Sequence, residues 1–361
     1  MSKVCVVAAG GTGGHMFPAE ALSRELTQRG WKVILATDAR GQSYASGFPA
    51  EERIALDAAT GKGPIGLLKA GISIMRGVGQ ARSAFDRLGV DVVVGFGGYP
   101  SAPALLAAIT TRCPVVIHEQ NSVLGRTNRY LAQSVQAIGT AFPTLHRAPV
   151  KVKDRLTLIG NPVRPDIQAL IERVYKAPTQ TGPIHVLVTG GSQGARLLSE
   201  TTPRALAALP DDIRARLKVQ QQSRPENLES ARQIYLEAGI AAEVAPFFRD
   251  MAARLSKAHL VIGRSGASTC SELAVASLPS ILIPLKIATD DHQTLNAKAL
   301  KDAGAALVIA EDDVTVAAMT ELIQPLMTDP ARLAAMSVAA RSVALPQATR
   351  SLADLVETTA R

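Results

Sequence analysis

Three glycine-rich stretches could bring backbone amides close to an anion. Residues 10–15 read GGTGGH, residues 96–101 read FGGYPS and residues 190–195 read GGSQGA. The first and third follow apolar runs that predict β-strands and precede predicted helices, whose positive ends favour phosphate groups. A single loop of this kind is also compatible with a plain turn. Two such loops at equivalent positions in the two halves of the chain favour phosphate binding.

His15 lies at the exit of the first loop, where an imidazole could act on a substrate. A neutral ring could take a proton from a hydroxyl group, and a protonated ring could pair with phosphate. The alternative is that His15 only packs against or caps the helix. The loop lacks the Gly-Lys-Ser/Thr ending of a P-loop. Because Asp38 ends the second predicted strand, a dinucleotide-binding site is a further alternative.

The stretch GRSGASTCSELAVASLP (263–279) predicts a strand followed by a helix start, with an N-cap at Ser265 or Ser268. Free amides at such a start suit a diphosphate, and the carboxylate of Glu272 suits the vicinal hydroxyls of a ribose. Ordinary helix capping is the alternative.

The polar stretch ATDDHQTLNA (288–297) opens another predicted helix. Gln293 and Asn296 are three residues apart and share a helix face, so their amides could bind sugar hydroxyls. Asp290, Asp291 and His292 could ligate a metal only if adjacent side chains converged, which a helix does not allow. No metal is therefore expected.

The elements that must position these residues alternate along the chain. Continuous apolar strands separated by helices predict a parallel sheet covered on both faces, which is an α/β fold. The stretches GNPVRPD (160–166) and KAPTQTGP (176–183) interrupt this pattern, which then restarts with IHVLVTGG (184–191). The sequence therefore predicts two Rossmann-like doubly wound domains, residues 1–163 and 164–340, facing a cleft, with a C-terminal helix in residues 341–361.

Composition limits the classes of partner. The formal net charge is +8, which favours anionic partners, but only 4% of residues are aromatic and no dense basic run suggests nucleic acid. Cys5, Cys113 and Cys270 each lie in or beside an apolar run, which is typical of buried thiols in a reducing cytoplasm. We expect neither a signal peptide nor a membrane-spanning segment.

Residues 61–88 are both apolar and basic. Ile65, Leu68 and Met75 alternate with Lys62, Lys69 and Arg76, and no acidic residue occurs before Asp86. Such a stretch could lie on an anionic bilayer. The alternative is a surface helix packed on the sheet, although four glycines weaken a regular helix.

Seven motifs together resemble one family. GGTGGH, FGGYPS, HEQNSVLGRTN, GNPVR, GGSQGA, RSGASTCSE and DDHQTLNA occur in this order between residues 10 and 297. The chain thereby resembles the MurG family, the membrane-associated N-acetylglucosaminyltransferases that make lipid II in peptidoglycan synthesis. The resemblance implies the glycosyltransferase B architecture, with the C-terminal helix returning to the N-terminal domain.

The resemblance also implies a reaction and its partners. N-acetylglucosamine would pass from UDP-N-acetylglucosamine to the C4 hydroxyl of the muramoyl sugar in undecaprenyl-diphosphate-linked lipid I, with inversion and without a cofactor or metal. The enzyme would be peripheral, on the anionic cytoplasmic face of the cell inner membrane, and would cooperate with cell-wall synthesis and division proteins. The alternatives are a lipid glycosyltransferase, a UDP-N-acetylglucosamine 2-epimerase, or a non-catalytic nucleotide-binding module.

The resemblance assigns substrate-binding roles to these positions: Thr12, Gly13, Gly14, Asn121, Arg164, Ser192, Phe248, Arg264, Ala267, Ser268, Glu272 and Gln293. The first three would touch a diphosphate or the sugar, and Asn121 the transferred sugar. Arg164 and the backbone at Phe248 would frame the uracil, Glu272 the ribose and Gln293 the sugar hydroxyls. Ser192, Arg264 and the backbone amides at 267 and 268 would contact the phosphates. This chain has Ser268 at a position where the family often has a hydrophobic residue. His15 is the first candidate for the general base, with Glu119 and Tyr99 in reserve.

Overall fold

The computed structural model describes residues 2–11, 13–39, 41, 47–61, 63–191 and 194–361. The chain divides into two compact units. The first comprises Met1–Arg164 with Pro346–Arg361, and the second comprises Pro165–Leu345. Each unit is built on its own parallel sheet.

The first sheet has seven parallel strands in the order β3-β2-β1-β4-β5-β6-β7. Its strands are β1 (Val4–Ala8), β2 (Lys32–Thr37), β3 (Glu52–Ala55), β4 (Val92–Gly95), β5 (Val115–Glu119), β6 (Ala137–Thr140) and β7 (Leu156–Leu158). The helices between them are α1 (Gly13–Gln28), α2 (Gly63–Leu88), α3 (Ala102–Thr110) and α4 (Arg126–Leu131).

Side chains of the first sheet alternate between two buried faces. In β1, Val4 and Val6 pack on the side of α2 and α3, while Cys5 and Val7 pack on the side of α1. All five residues of β1 are buried. This explains why the strand is a continuous apolar run, because a parallel sheet covered by helices offers no face to water.

The second sheet has six parallel strands in the order β10-β9-β8-β11-β12-β13. These are β8 (Ile184–Thr189), β9 (Leu217–Gln222), β10 (Ala241–Ala245), β11 (Leu260–Gly263), β12 (Ser280–Leu282) and β13 (Ala306–Val308). Its helices are α5 (Pro165–Gln168), α6 (Arg196–Ala207), α7 (Asp211–Arg214), α8 (Leu228–Glu237), α9 (Met251–Lys257), α10 (Ala267–Val275), α11 (His292–Asp302), α12 (Val316–Thr328) and α13 (Pro330–Ser342).

The last helix, α14 (Ala348–Thr359), belongs to the first unit. Leu352, Ala353 and Val356 are buried in the same cluster as Cys5 and Val7. Polar contacts hold the helix as well. Arg29 Nη1 lies 2.6 Å from Asp354 Oδ1 and 2.7 Å from Glu357 Oε2, and Trp31 Nε1 donates to Glu357 Oε1 at 3.0 Å.

Both sheets place the ends of their central strands where ligands bind in doubly wound folds. In the first sheet the strand order reverses between β1 and β4, and in the second between β8 and β11. Loops that leave the carboxyl ends of two such strands form a crevice. GGTGGH follows β1, FGGYPS follows β4, GGSQGA follows β8 and RSGASTCSE follows β11. Each strand at a reversal point is therefore followed by one of the predicted binding motifs.

Three features differ from the sequence-based expectations. The strands β3 and β7 were not predicted, because they are short sheet-edge strands that carry polar residues. The helix α1 begins at Gly13, inside the GGTGGH stretch that was predicted to precede it, and buried residues such as Met16 already pack on the sheet. The glycine-containing stretch forms one continuous 26-residue helix, α2. Within the described part of the chain, no helix is long and apolar enough to cross a membrane.

Candidate functional site

The loops after β1, β2 and β4 pack closely against one another. A Cβ on Gly10 would lie 2.7 Å from Pro100 Cβ and 2.8 Å from Asp38 Oδ1, so only glycine fits there. Asp38 accepts hydrogen bonds from the Gly41 amide at 2.9 Å and from the Tyr99 hydroxyl at 3.1 Å. Asp38 thus joins these loops, which is a different use from the ribose contact of the dinucleotide alternative. The role of Tyr99 as a reserve base stays a prediction.

His15 lies in the first turn of α1 and is half-buried. Its Nδ1 is 3.0 Å from Gln120 Oε1. Its Nε2 faces the glycines after β4, because a Cβ on Gly98 would be 3.5 Å from that nitrogen. Gly97 and Gly98 have φ angles of 84° and 71°, a conformation that side chains disfavour. One ring nitrogen is therefore held by the protein while the other meets a surface of bare backbone.

Glu119, the second candidate base, is 2% exposed at the end of β5. Its Oε1 accepts from the backbone amide of Asn121 at 3.1 Å and from the Asn121 side chain at 3.3 Å. Its Oε2 accepts from the Gly125 amide at 2.9 Å and from Asn128 Nδ2 at 2.8 Å. A carboxylate with four donors is stabilised as an acceptor and organises the 121–128 loop. Proton abstraction by Glu119 stays a prediction that this geometry does not favour.

Predicted binding residues of the first unit also lie at the start of α1. Gly13 and Gly14 are the first residues of the helix, where backbone amides have no intrahelical acceptor. The guanidinium of Arg164 lies 5.2 Å from the centre of the Phe17 ring. Thr12 lies outside the described residues. The contact of Arg164 with uracil, and those of Asn121 with the sugar, stay predictions.

In the second unit, Gln222 holds the glycine loop that follows β8. Its Oε1 accepts from the Thr189 hydroxyl at 3.0 Å and from the Gly190 amide at 3.3 Å. Its Nε2 donates to the carbonyl oxygens of Gly191 at 3.0 Å and Pro246 at 3.2 Å. Sequence reasoning missed Gln222, although a polar residue ending a buried strand was a usable signal. Ser192 lies outside the described residues.

The helix α10 starts differently from the sequence-based prediction. Its N-cap is Gly266, with no side-chain cap, so neither Ser265 nor Ser268 caps it. The Ser265 hydroxyl instead donates to the Gln293 carbonyl oxygen at 2.8 Å, which ties α10 to α11. The amides of the first turn of α10, at Ala267 and Ser268, consequently meet no capping side chain. This arrangement suits the predicted diphosphate contact.

Gln293 lies at the start of α11 and is oriented by one hydrogen bond. Its Oε1 accepts from the Leu285 amide at 3.0 Å. The side-chain amide therefore has a fixed direction, in which Nε2 is the group that can donate to a ligand. Glu272 projects from the middle of α10 and is half-buried. Contacts of Gln293 with sugar hydroxyls and of Glu272 with ribose stay predictions.

Arg264 is 8% exposed and directs its guanidinium into the second unit. It donates to the carbonyl oxygens of Ile283 and Pro284, both at 3.2 Å, and to Glu311 Oε1 at 2.8 Å. The neighbouring cation holds the pKa of Glu311 below its usual value against the effect of burial, which raises it. These contacts indicate that Arg264 positions the loop after β12. Its phosphate contact stays a prediction.

Phe248 is buried beneath a charged side chain. The guanidinium of Arg254 lies 3.7 Å from the centre of the Phe248 ring and is itself paired with Glu243 at 2.6 Å and Asp250 at 2.8 Å. Hydrogen bonds from Arg254 hold the pKa of both carboxyls below their usual values. The stacked pair fixes the backbone at residue 248, which was the predicted uracil contact.

Burial keeps several titratable groups uncharged. Burial lowers the pKa of His118 in β5 to about 4 and raises the pKa of the Cys113 and Cys270 thiols to about 11 and about 12. These thiols are therefore poor nucleophiles at neutral pH. Among the residues that the structure describes, no cluster of three or more His, Cys, Asp or Glu is arranged to hold a metal ion.

Two family models match the chain. The model of the glycosyltransferase family 28 N-terminal domain covers residues 5–140, and that of the C-terminal domain covers residues 185–357. Together with the two doubly wound parallel sheets, these matches define the class of the protein. It is a glycosyltransferase with two Rossmann-like domains, the glycosyltransferase B architecture.

Full-length relatives narrow the family. The UDP-N-acetylglucosamine--N-acetylmuramyl-(pentapeptide) pyrophosphoryl-undecaprenol N-acetylglucosamine transferase of Phenylobacterium zucineum (strain HLK1) is 57% identical over 363 residues, 100% of each chain. The transferase of the same name from Caulobacter vibrioides (strain NA1000 / CB15N) is 59% identical with the same coverage. The crystal structure of Acinetobacter baumannii MurG has a TM-score of 0.81 at 34% identity and covers 99% of each chain. The chain belongs to this family of N-acetylglucosamine transferases.

Proposed function

We propose that the chain transfers N-acetylglucosamine from UDP-N-acetylglucosamine to the C4 hydroxyl of the muramoyl sugar in lipid I, which is undecaprenyl-diphosphate-linked N-acetylmuramoyl-pentapeptide. The product is lipid II, the precursor used for peptidoglycan. The observation that carries the proposal is the match over the whole chain to transferases whose names state this donor and acceptor. The alternatives of a 2-epimerase and of a non-catalytic binding module lack such a match among these relatives.

The donor is assigned to the second unit. The uncapped start of α10 offers backbone amides to the diphosphate, and the positive end of the helix stabilises negative charge there. Glu272 lies one to two turns further along the same helix, at a spacing that suits the ribose. Gln293, with its Oε1 held by Leu285, offers Nε2 to the hydroxyls of the sugar. The same amides would stabilise the charge that develops on UDP as it leaves.

The acceptor is assigned to the first unit, where His15 is the general base. As the C4 oxygen of the acceptor bonds to the anomeric carbon of N-acetylglucosamine, its proton passes to His15 Nε2. The bond between the anomeric carbon and the diphosphate oxygen breaks, and UDP departs with that electron pair. Attack from the face opposite the leaving group inverts the anomeric centre. Support comes from the direction of Nε2, which faces the bare backbone of Gly98.

A transfer assay tests the activity. The purified full chain receives radiolabelled UDP-N-acetylglucosamine and a soluble lipid I analogue. Labelled disaccharide that depends on the acceptor is the expected product. A folded protein that forms no disaccharide would rule out the proposed reaction, and NAD binding without UDP binding would favour the dinucleotide alternative.

We also propose that the first half of α2 docks on the anionic cytoplasmic face of the inner membrane. Its apolar side chains face water: Ile65 is 72% exposed and Met75 is 67% exposed, and Leu67, Leu68 and Ile72 are exposed between them. Lys69 and Arg76 are exposed on the same stretch. Apolar side chains flanked by cations match the interior and headgroups of an anionic bilayer. Lys62 lies outside the described residues. Cell-wall synthesis and division proteins stay expected partners on the strength of the family resemblance.

Vesicle co-sedimentation tests the membrane contact. Reversing two charges, with Lys69→Glu and Arg76→Glu together, should weaken binding to anionic vesicles by about tenfold or more, since each cation near the surface contributes about 1 kcal/mol. The matched control is Lys151→Glu with Lys153→Glu, two exposed cations before β7 at the other edge of the sheet. Equal binding by both double variants, or binding indifferent to salt, would favour a helix that only packs on the sheet.

A further inference from the structure

A chain of hydrogen bonds runs from His15 into the core of the first unit. His15 Nδ1 is 3.0 Å from Gln120 Oε1. Gln120 Nε2 is 3.1 Å from His118 Nδ1 and donates to the His118 carbonyl oxygen at 2.9 Å. His118 Nε2 is 2.9 Å from the carbonyl oxygen of Gly160. Four groups are thus connected in series, and both His118 and Gln120 are buried.

The chemistry of the last acceptor sets the direction of every bond. The carbonyl oxygen of Gly160 can only accept, so His118 Nε2 carries the proton. Burial lowers the pKa of His118 to about 4, and the ring is neutral at physiological pH, with a lone pair on Nδ1. Two acceptors, that lone pair and the His118 carbonyl oxygen, then face the amide group of Gln120. Gln120 must turn its NH2 group toward His118 and its oxygen toward His15.

The orientation of the Gln120 side-chain amide in turn determines the tautomer of His15. Because Gln120 Oε1 can only accept, His15 Nδ1 must donate the proton between them. The neutral ring then has its lone pair on Nε2, the nitrogen that faces Gly98. A hydrogen bond to one ring nitrogen commonly decides which nitrogen of a catalytic imidazole is free.

We propose that Gln120 and His118 are positioning residues that hold His15 in the tautomer whose Nε2 accepts the proton of the acceptor hydroxyl. This inference rests on the proposed transferase function and names residues that act through His15. It separates two roles within the stretch HEQN, since Glu119 organises the following loop while His118 and Gln120 orient the base.

The hydrogen-bond partner of His15 Nδ1 is neutral, although charged groups lie on neighbouring elements. His118 and Glu119 lie on β5, Asp38 follows β2, and Arg164 lies over Phe17 of α1. The Glu119 carboxylate is occupied by amide donors, and that of Asp38 by Gly41 and Tyr99. In the described part of the chain, the partner of His15 Nδ1 is thus the uncharged Gln120. An amide orients the ring without stabilising the imidazolium as strongly as a carboxylate would.

Nitrogen NMR of the full-length protein with ¹⁵N-labelled histidine tests the tautomer directly. The signals of His15 are assigned by their loss in His15→Asn. We expect a protonated Nδ1 and an unprotonated Nε2 in His15, and the reverse in His118. A protonated Nε2 in His15 at neutral pH would overturn the inference. This readout needs no substrate, so a failure of the proposed transferase activity would be seen separately in the transfer assay.

Substitution of Gln120 tests the positioning role. Gln120→Met should populate both tautomers of His15 and lower kcat by at least about tenfold, since a misdirected imidazole loses general-base catalysis, while KM for UDP-N-acetylglucosamine stays unchanged. The matched control is Gln136→Met, which removes a glutamine bonded to the Val115 amide at the opposite end of β5. The control should keep the kcat and the tautomer of the natural sequence. Unchanged kcat and tautomer in Gln120→Met would contradict the proposal.

A conservative variant separates orientation from packing. In Gln120→Glu the carboxylate still accepts from His15 Nδ1, so we expect kcat at high pH to exceed that of Gln120→Met. The carboxylate also stabilises protonated His15, so the acid limb of the pH–rate profile should move to higher pH. A profile with an unmoved acid limb and a kcat as low as that of Gln120→Met would show that residue 120 only fills space.

Discussion

Most polar side chains at the strand ends bond to the protein itself. Glu119 accepts four hydrogen bonds, Arg264 donates to two carbonyls and to Glu311, and Asp38 joins two loops. Residue type and spacing cannot distinguish such organising groups from groups that contact a substrate. In the structure, His15 Nε2 instead lies against the backbone of Gly98, and no side chain caps the first amides of α10.

Removal of the imidazole tests the assignment of the base. His15→Asn should lower kcat by roughly 100- to 10,000-fold, the contribution usual for general-base catalysis, while the Kd for UDP stays unchanged. His146→Asn, a second histidine of the first unit, is the control and should keep normal kinetics. Steady-state rates and calorimetric UDP titration give both quantities. A His15→Asn enzyme with normal kcat would show that another group takes the proton.

Removal of the Glu272 carboxylate should act on the donor. Glu272→Ala should weaken UDP binding by roughly 10- to 100-fold, because loss of charged hydrogen bonds to a ribose costs about 1.5 to 3 kcal/mol. Isothermal titration with UDP measures the change. Glu237→Ala, which removes an exposed carboxylate from the end of α8, should bind UDP normally. Equal affinities in the two variants would leave Glu272 with only a structural role in α10.

At the scale of elements, the two halves of the helix α2 differ in burial. Its second half packs on the sheet through Val78, Ala81 and Phe85, while its first half exposes apolar side chains. Gly77 lies where the helix comes close to its neighbours. A Cβ there would be 2.2 Å from the Asp57 carbonyl oxygen and 2.9 Å from Pro103 Cβ.

Alanine substitutions at two glycines of α2 should therefore have different effects on the free energy of unfolding. Gly77→Ala should lower the free energy of unfolding by about 1 to 3 kcal/mol, because the added methyl group meets backbone that cannot move easily. Gly79→Ala, with open space around its Cα, should leave stability unchanged or raise it by up to about 1 kcal/mol through helix propensity. Chemical denaturation measures both. A Gly77→Ala protein as stable as Gly79→Ala would contradict the close packing of α2.

Buried elements could be predicted from the sequence more readily than exposed ones. The central strands were recognised because both faces are buried and the runs are apolar, as in the wholly buried β1, β4 and β5. The edge strands β3 and β7 carry little of this signal. The start of α10 was wrongly predicted to carry a serine cap, since the hydroxyl of Ser265 bonds to the Gln293 carbonyl in a contact that depends on tertiary structure. The role of Gln222 was missed because its contacts with Gly190 and Pro246 also depend on tertiary structure.

At the scale of the whole molecule, the restart of the strand pattern predicted two α/β domains, and two separate parallel sheets are present. The repeated glycine loops predicted binding sites at equivalent positions, and these loops do follow β1 and β8. Burial of Leu352 and Val356, on a helix that contacts α1, β4, β5 and β6, places the last helix on the first unit, a long-range contact that local sequence does not encode.

The stereochemistry of the product directly tests the proposed inverting transfer of N-acetylglucosamine to lipid I. The full-length protein is incubated with UDP-N-acetylglucosamine carrying ¹³C in the sugar and with a lipid I analogue, and the new linkage is examined by NMR. We predict one new β-glycosidic bond at the C4 oxygen of the muramoyl sugar, formed from the α-linked donor. An α linkage, attachment at another hydroxyl, or conversion of the donor to its 2-epimer without transfer would contradict it.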